Sequence, residues 1–206
     1  MQAFIEENRA FVGGLLASVG HKGRIDSVHF AIGWMYVGAK PHLKNRYVLA
    51  VAEDKNKGQW DFPGGKNDSV SPDPVVQFLT TAYKELYEEL AVTVTVPLET
   101  FVLEIVQCGK SGRNLLVVCG IKGLRADRFR AEMQHKQSIR PRLPHQFLEM
   151  IDFRYLAKDD MHTLAHSTSY VRSQHARALH IVKAHCGEFP EFDAVMRIGV
   201  RRHGAL

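Results

Sequence analysis

The feature that most constrains this chain is a helix with three carboxylates near its C-terminal end, introduced by an aromatic-rich segment and a diglycine. Between Gln59 and Val92 the sequence reads QWDFPGGKND, a polar loop, and then DPVVQFLTTAYKELYEELAV. Asp73 followed by Pro74 is a helix start: a side-chain acceptor at the N-cap, then a proline whose missing N–H costs nothing in the first turn. From there Val75, Leu79, Ala82, Leu86 and Leu90 recur at helical spacing and predict a core-facing stripe. Lys84, Glu85, Glu88 and Glu89 fall within six residues of the same helix. Glu85 and Glu88 lie away from the apolar stripe and Glu89 at its edge. Carboxylates at i, i+3 and i+4 point roughly the same way and repel one another. A divalent cation would turn that repulsion into attraction, and hard cations such as magnesium prefer carboxylate oxygens. The Gly64-Gly65 pair lets the backbone turn tightly and approach a ligand closely.

Together the two pieces resemble the Nudix hydrolase signature, G-x5-E-x7-R-E-U-x-E-E-x-G-U, where U is a bulky aliphatic. Gly65 stands at the first glycine, approached through Trp60, Phe62, Pro63 and Gly64, and Lys84 takes the place of the arginine. Glu85, Leu86, Glu88 and Glu89 fit the E-U-x-E-E core, and Val92 fits the last aliphatic position. There are departures. The loop from Gly65 to Lys84 is about five residues longer than the pattern. Val76 falls where the first glutamate belongs, with Asp68 and Asp73 as stand-ins, and Ala91 replaces a glycine. Lysine for arginine keeps the charge and loses the planar fork.

The resemblance covers roughly residues 27 to 155. It implies an α/β/α sandwich with a mixed sheet, forming one domain with an N-terminal helical extension (1–22) and a C-terminal helical segment (159–206). It also implies hydrolysis of a pyrophosphate bond in a nucleoside diphosphate linked to another group. The ligands of magnesium or manganese would be Glu85, Glu88, Glu89 and the carbonyl of Gly65. Glu85 is the expected base or base-orienting residue, Lys84 a cation that holds the glutamates in place, and Glu88 part of the catalytic set. In many Nudix-like enzymes a later acidic residue approaches the metals. Glu149 and Glu132 are the candidates, and Glu149 is preferred for its hydrophobic neighbours.

Charge bears on the substrate. The first 120 residues carry 12 Lys/Arg and 13 Asp/Glu; the remainder carry 15 and 9, and eight of the eleven histidines. Lys122 to Arg142 is strongly basic, and such a patch attracts polyanions or is simply a solvated face. Lys66, Arg128 and Arg130 are the expected substrate contacts. The basic second half tilts the choice slightly toward a capped RNA 5′ end or another highly anionic substrate, with a nucleotide-sugar or dinucleoside polyphosphate still open. A Nudix-like module that binds nucleotide or RNA without cleaving it is the alternative, and assembly through an amphipathic helix at 2–18 a third.

The length suits one domain with additions. No run approaches the roughly 18 apolar residues of a membrane span. Glu6 and Glu7 occupy the place of a basic signal region, and three unclustered cysteines argue for a reducing compartment, so the cytoplasm is expected, with the nucleus as the alternative. A homodimer is compatible with all of this. Strands are expected at Ser27–Val37, Arg46–Ala52, Val92–Pro97, Thr100–Cys108, Asn114–Lys122 and Ile151–Tyr155, with a hairpin tip at Lys110–Arg113. After Asp159 the pattern turns helical. His162, His166, His175, His180 and His185 lack zinc spacing. There is no G-x-S-x-G elbow and no P-loop. Trp60 and Phe62 read as core residues rather than base-stacking platforms.

Overall fold

The computed structural model describes residues 1–36, 45–53, 62–90, 92–94, 97–100, 102–108, 111–123, 135, 138–139, 150–157 and 196–198. Among the described residues two helices, α1 (Gln2–Ser18) and α2 (Pro74–Leu90), accompany eight strands. These are β1 (Ser27–Tyr36), β2 (Asn45–Glu53), β3 (Gly64–Lys66), β4 (Val92–Val94), β5 (Val102–Cys108), β6 (Asn114–Gly123), β7 (Met150–Ala157) and β8 (Met196–Ile198). A 3-10 turn, Leu98–Thr100, sits between β4 and β5. The expected α/β class with a mixed sheet is what the structure has. The main sheet runs β5-β6-β1-β2-β7, with β3 also on β1, and β4 pairs with β8 in a separate ribbon.

The centre of the sheet explains its sequence. β1 and β6 pair in parallel from Ser27↔Asn114 to Tyr36↔Gly123. Val28, Phe30 and Ile32 of β1 and Leu115, Val117 and Cys119 of β6 enter one core cluster with both helices. Ala31, Leu116 and Val118, on the opposite face, are also buried. Strands covered on both faces read as near-continuous apolar runs, which is how both appear in the sequence.

β6 occupies one edge of β1 along its whole length, so β2 and β3 must share the other. β3 takes Ser27 to His29 and β2 takes Gly33 to Tyr36. The pairing of β3 extends at both ends, through Phe30 N–H to Pro63 O (2.7 Å) and Asn67 N–H to Asp26 O (2.9 Å). The diglycine is therefore ladder backbone and not the tight turn expected. Gly64 tolerates its φ of 143° and the approach of β1 because it has no Cβ: one built there would stand 2.3 Å from Val28 O and 2.5 Å from His29 Cα.

α1 is unbroken despite Gly13 and Gly14. Its Phe4, Ile5, Val12 and Leu16 are buried in the core, so tertiary packing outweighs the low propensity of glycine. Asn8, also buried, donates to Phe4 O (2.8 Å) and accepts from Leu98 N–H (2.6 Å), fastening the helix to the 3-10 turn. Arg9 pairs with Asp73 at 2.7 Å, and Phe4 meets Tyr83 with ring centroids 5.4 Å apart. The apolar face expected to serve assembly is thus spent inside the molecule.

Two other expectations are corrected. Pro97, expected to close the strand that opens at Val92, is not strand (residues 95 and 96 lie outside the described residues), and Thr100, expected to open the next one, belongs to the 3-10 turn Leu98–Thr100. Met196–Ile198, within the stretch expected to be helical, is strand, its backbone satisfied by pairing with β4 from Val92↔Ile198 to Val94↔Met196. The rest of the stretch after Asp159 lies outside the described residues. Among the described residues no helix is long and apolar enough to cross a membrane.

Candidate active site

α2 begins as its sequence dictates. Asp73 Oδ1 accepts the N–H of Val75 at 2.8 Å, an N-cap bond, with Pro74 in the first turn. Phe78, Leu79, Ala82 and Leu86 are buried in the core. A second buried row runs beside this stripe and is polar: Gln77, Thr81, Glu85 and Glu89. Residues four apart form a continuous slanted ridge on a helix, so the row follows one groove along α2 for about 18 Å at 1.5 Å per residue.

Each half of the row has its own task. Gln77 accepts Ile25 N–H (2.8 Å) and donates to Ser71 O (2.6 Å). The Thr81 hydroxyl faces Asn67 Oδ1 (3.3 Å) and Gln77 O (2.9 Å). These groups hold the start of β1 and the β3–α2 loop against the helix. The two carboxylates, one turn further on, address the diglycine. Gly64 N–H donates to Glu89 Oε2 at 2.7 Å. A Cβ built on Gly65 would lie 2.5 to 2.7 Å from all three carboxylate atoms of Glu85, so the space a side chain would fill is occupied by that carboxylate. Glu85 is 9% and Glu89 5% exposed. Glu85 lies outside the apolar stripe, as expected, and is buried against β3. Glu88 is half-buried on the same turn.

The long loop is fastened by its own side chains. Asn67 is buried, and its amide donates to Ile25 O at 2.9 Å. Then, at every second residue, a side-chain oxygen accepts the N–H two positions on: Asn67 from Ser69, Ser69 from Ser71, Ser71 from Asp73 and Asp73 from Val75, at 2.8 to 3.3 Å. This decides between the two stand-in acids. Asp73 is the cap of α2, whereas Asp68 reaches Lys84, Oδ2 to Nζ at 2.6 Å. The hydrogen bond it donates to Asp68 is the main reason the Lys84 ammonium is held above its ordinary range. Partial burial opposes it, and the charges of Glu88, Asp68 and Glu85 add to it.

The structure therefore brings Glu85, Glu89 and Gly65 together, with Lys84 and Glu88 alongside on α2. Lys66 is exposed at the end of β3, next to Gly65. Phe62 is buried, as expected of a core residue. Trp60, Arg128, Arg130, Glu132, Glu149 and the histidines from His162 onward lie outside the described residues. Among the described residues no three His, Cys, Asp or Glu side chains stand together as a ready-made ion cage. The sequence reading missed Asn67, Gln77 and Thr81; the i+4 spacing of Gln77, Thr81, Glu85 and Glu89 was the available signal.

No family model matches this chain, and no curated protein does. Among solved structures it is similar to a mutT/nudix family protein from Listeria innocua, at 11% identity and a TM-score of 0.43, over 77% of this chain and 90% of that one. It is also similar to RenU, a Nudix hydrolase from M. Smegmatis, at 15% identity and a TM-score of 0.40, over 84% and 92% of the two chains. At these scores the likeness says nothing of substrate or activity.

Proposed function

We propose that this chain is a divergent Nudix-type hydrolase that uses a divalent metal to cleave a pyrophosphate bond in a nucleoside diphosphate linked to another group. The observation that carries this reading is the burial of Glu85 and Glu89 against Gly64 and Gly65. Withdrawing a carboxylate from water costs on the order of several kcal/mol, which hydrogen bonds such as that of Gly64 N–H to Glu89 help to offset, and a cation shared by two carboxylates one turn apart would offset it further.

The donor set fits a hard cation. Magnesium is commonly held by one or two carboxylates, with water and substrate phosphate oxygens completing its shell, so a full cage of acidic side chains is not required. Glu85, Glu89 and the Gly65 carbonyl would hold the ion, with Glu88 beside them. When bound, it would neutralise phosphate charge and lower the pKa of a bound water. The chain's own residues do the rest. The Gly64 N–H fixes Glu89 from the backbone, which needs no reorganisation during reaction. Glu85 is the proposed base or base-orienting group. Lys66, exposed at the end of β3, is the proposed contact for a substrate phosphate. Arg128, Arg130 and Glu149 are proposed as further substrate and catalytic groups on the sequence alone. The basic second half favours a long anionic substrate such as a capped RNA 5′ end.

The test is product analysis with magnesium or manganese on ADP-ribose, a diadenosine polyphosphate and capped RNA, comparing wild type with Glu85→Gln and Glu89→Gln. Wild type should release two phosphate-bearing fragments from at least one substrate, and each variant should be slower by on the order of a hundredfold. Equal rates in all three proteins would remove the proposal. A module that binds nucleotide or RNA without cleaving it is the second reading. It is favoured by the absence, among the described residues, of a preformed three-residue ion cage. Saturable nucleotide binding with no product at any metal concentration would establish it.

A further inference from the structure

We propose that a cluster of exposed cations around the start of β1, formed by Lys22, Arg24, Lys66 and Arg113, holds the phosphodiester chain of a single-stranded RNA. This rests on the capped-RNA reading above and says where the body of such a substrate would lie. The four residues come from separate segments of the chain, and all are exposed. They meet because β1 is paired on both edges from its first residue: Ser27 faces Lys66 on β3 and Asn114 on β6. Just before it, Asn67 N–H donates to Asp26 O on one side (2.9 Å) and Asp26 N–H donates to Arg113 O on the other (2.8 Å). Lys66 and Asn114 therefore stand two strand spacings apart, about 10 Å, with Lys22 and Arg24 on the chain that leads into the central strand.

Each cation is carried on ordered backbone. Lys66 lies between Gly65 and the buried Asn67, and Arg24 precedes Ile25, which is buried and donates its N–H to Gln77 Oε1. Lys22 sits in a turn with φ of 64° at Gly20 and 88° at Gly23, spanned by the His21 ring 3.3 Å from Gly23 O. The α1 dipole does not account for these charges, because its effect fades beyond the last turn and both Lys22 and Arg24 lie past the C-cap, Val19. Nor are they spent on ion pairs. Among the described residues none engages Lys22, Arg24 or Lys66, and Arg113 has a 3.4 Å contact with Asp26 in which the side chains are 49% and 41% exposed. Asp68, two residues beyond Lys66, is paired with Lys84. Cations spread over about 10 Å do not converge on one phosphate, but they suit a repeating polyanion whose counterions they release. Lys66 adjoins Gly65, so the cluster is continuous with the candidate site, which favours RNA over a lipid surface.

Fluorescence anisotropy with a labelled single-stranded oligouridylate bearing a 5′-hydroxyl tests this, with melting curves to confirm that each variant is folded. The titration is run in EDTA, so neither a metal nor a pyrophosphate takes part, and failure of the hydrolase reading leaves the measurement unaffected. Wild type should bind with an affinity that falls steeply with salt. The double variant Lys22→Gln/Arg24→Gln should bind roughly 20-fold more weakly at about 0.1 M salt, and its log–log salt slope should be shallower by about 1.4, from two contacts at about 0.7 each. Arg9→Gln, which removes a charge from α1 about 13 Å before the end of that helix, should bind like wild type. No binding by wild type overturns the inference and leaves product release from ADP-ribose or a diadenosine polyphosphate as the separate test of the hydrolase. A double variant with wild-type affinity and slope overturns it, as does an Arg9→Gln protein that loses as much as Arg24→Gln alone. Binding to phosphatidylserine vesicles that the double variant loses, with RNA binding intact, would assign the cluster to a lipid surface and overturn it as well.

Discussion

The two adjacent glycines of β3 should respond to the same substitution in opposite ways. An alanine at 64 places its Cβ 2.3 Å from Val28 O, 2.5 Å from His29 Cα and 3.1 Å from His29 N, on a backbone with φ of 143°. All three atoms are main chain of β1, so relief requires the strands to separate by about an ångström, since uncrowded heavy-atom contacts lie near 3.5 Å. Strain at that φ and one or two weakened ladder hydrogen bonds together cost roughly 3 kcal/mol. For a chain of this size that lowers Tm by about 6–12 °C. For an alanine at 65 the three nearest atoms all belong to the Glu85 carboxylate, at 2.5, 2.6 and 2.7 Å. That is the end of a side chain, which can swing aside. Replacing a strand glycine by alanine returns about 0.5–1 kcal/mol, so the net change in stability should be near zero. The displaced carboxylate, by contrast, is moved by about an ångström, a misplacement that can cost on the order of a hundredfold in rate. Thermal melts of both variants, with Mn2+ titration and product release for Gly65→Ala, provide the check. A Gly65→Ala protein with wild-type ion affinity and turnover would refute the packing of Glu85 on Gly65, and a Gly64→Ala protein melting with wild type would refute the β1–β3 register.

Asn8→Ala should lower stability by about 2 kcal/mol in urea unfolding, because the Leu98 N–H it accepts is left buried without that partner. Asp73→Ala removes both the α2 cap and the partner of Arg9 and should cost about 1–2 kcal/mol; Asp73→Asn, which keeps a capping oxygen, should recover most of it. The Lys84–Asp68 bond has a pH window set by its sign. The ammonium is held above its ordinary 10.5, so its contribution is complete below that pH and is lost as pH rises through the higher folded value. Alkaline unfolding of wild type and Asp68→Asn should therefore converge at high pH, with a small gap below it because the pair is largely exposed; a gap that widens with pH would contradict this.

Much of the framework was legible because it depends on neighbours in sequence. Alternation and apolar runs marked β1, β2, β5, β6 and β7. The Asp73-Pro74 cap fixed the start of α2 to the residue, and the Nudix-like spacing singled out Gly65, Lys84 and the glutamates. Errors arose where a partner distant in the chain decides. The diglycine reads as a turn because glycine permits turns, yet it is strand, since β1 has a free edge there and only a residue lacking Cβ fits beneath Val28 O. The spacing puts Glu85 off the apolar stripe but does not say what it packs on; it is buried because Gly65 vacates the volume its carboxylate fills. Asp68 and Asp73 could not be told apart by spacing, and the loop's hydrogen bonds separate them.

By itself, the order of residues determined the local events: where helices begin, which faces are apolar, and which acids lie one turn apart on α2. Those follow from backbone periodicity and from the short reach of caps, and they hold whatever the rest of the chain does. Only the assembled molecule decided that two of those acids turn inward. That outcome depends on β3 lying along the first half of β1 and presenting, to a helix that starts eight residues later, two positions with no side chain.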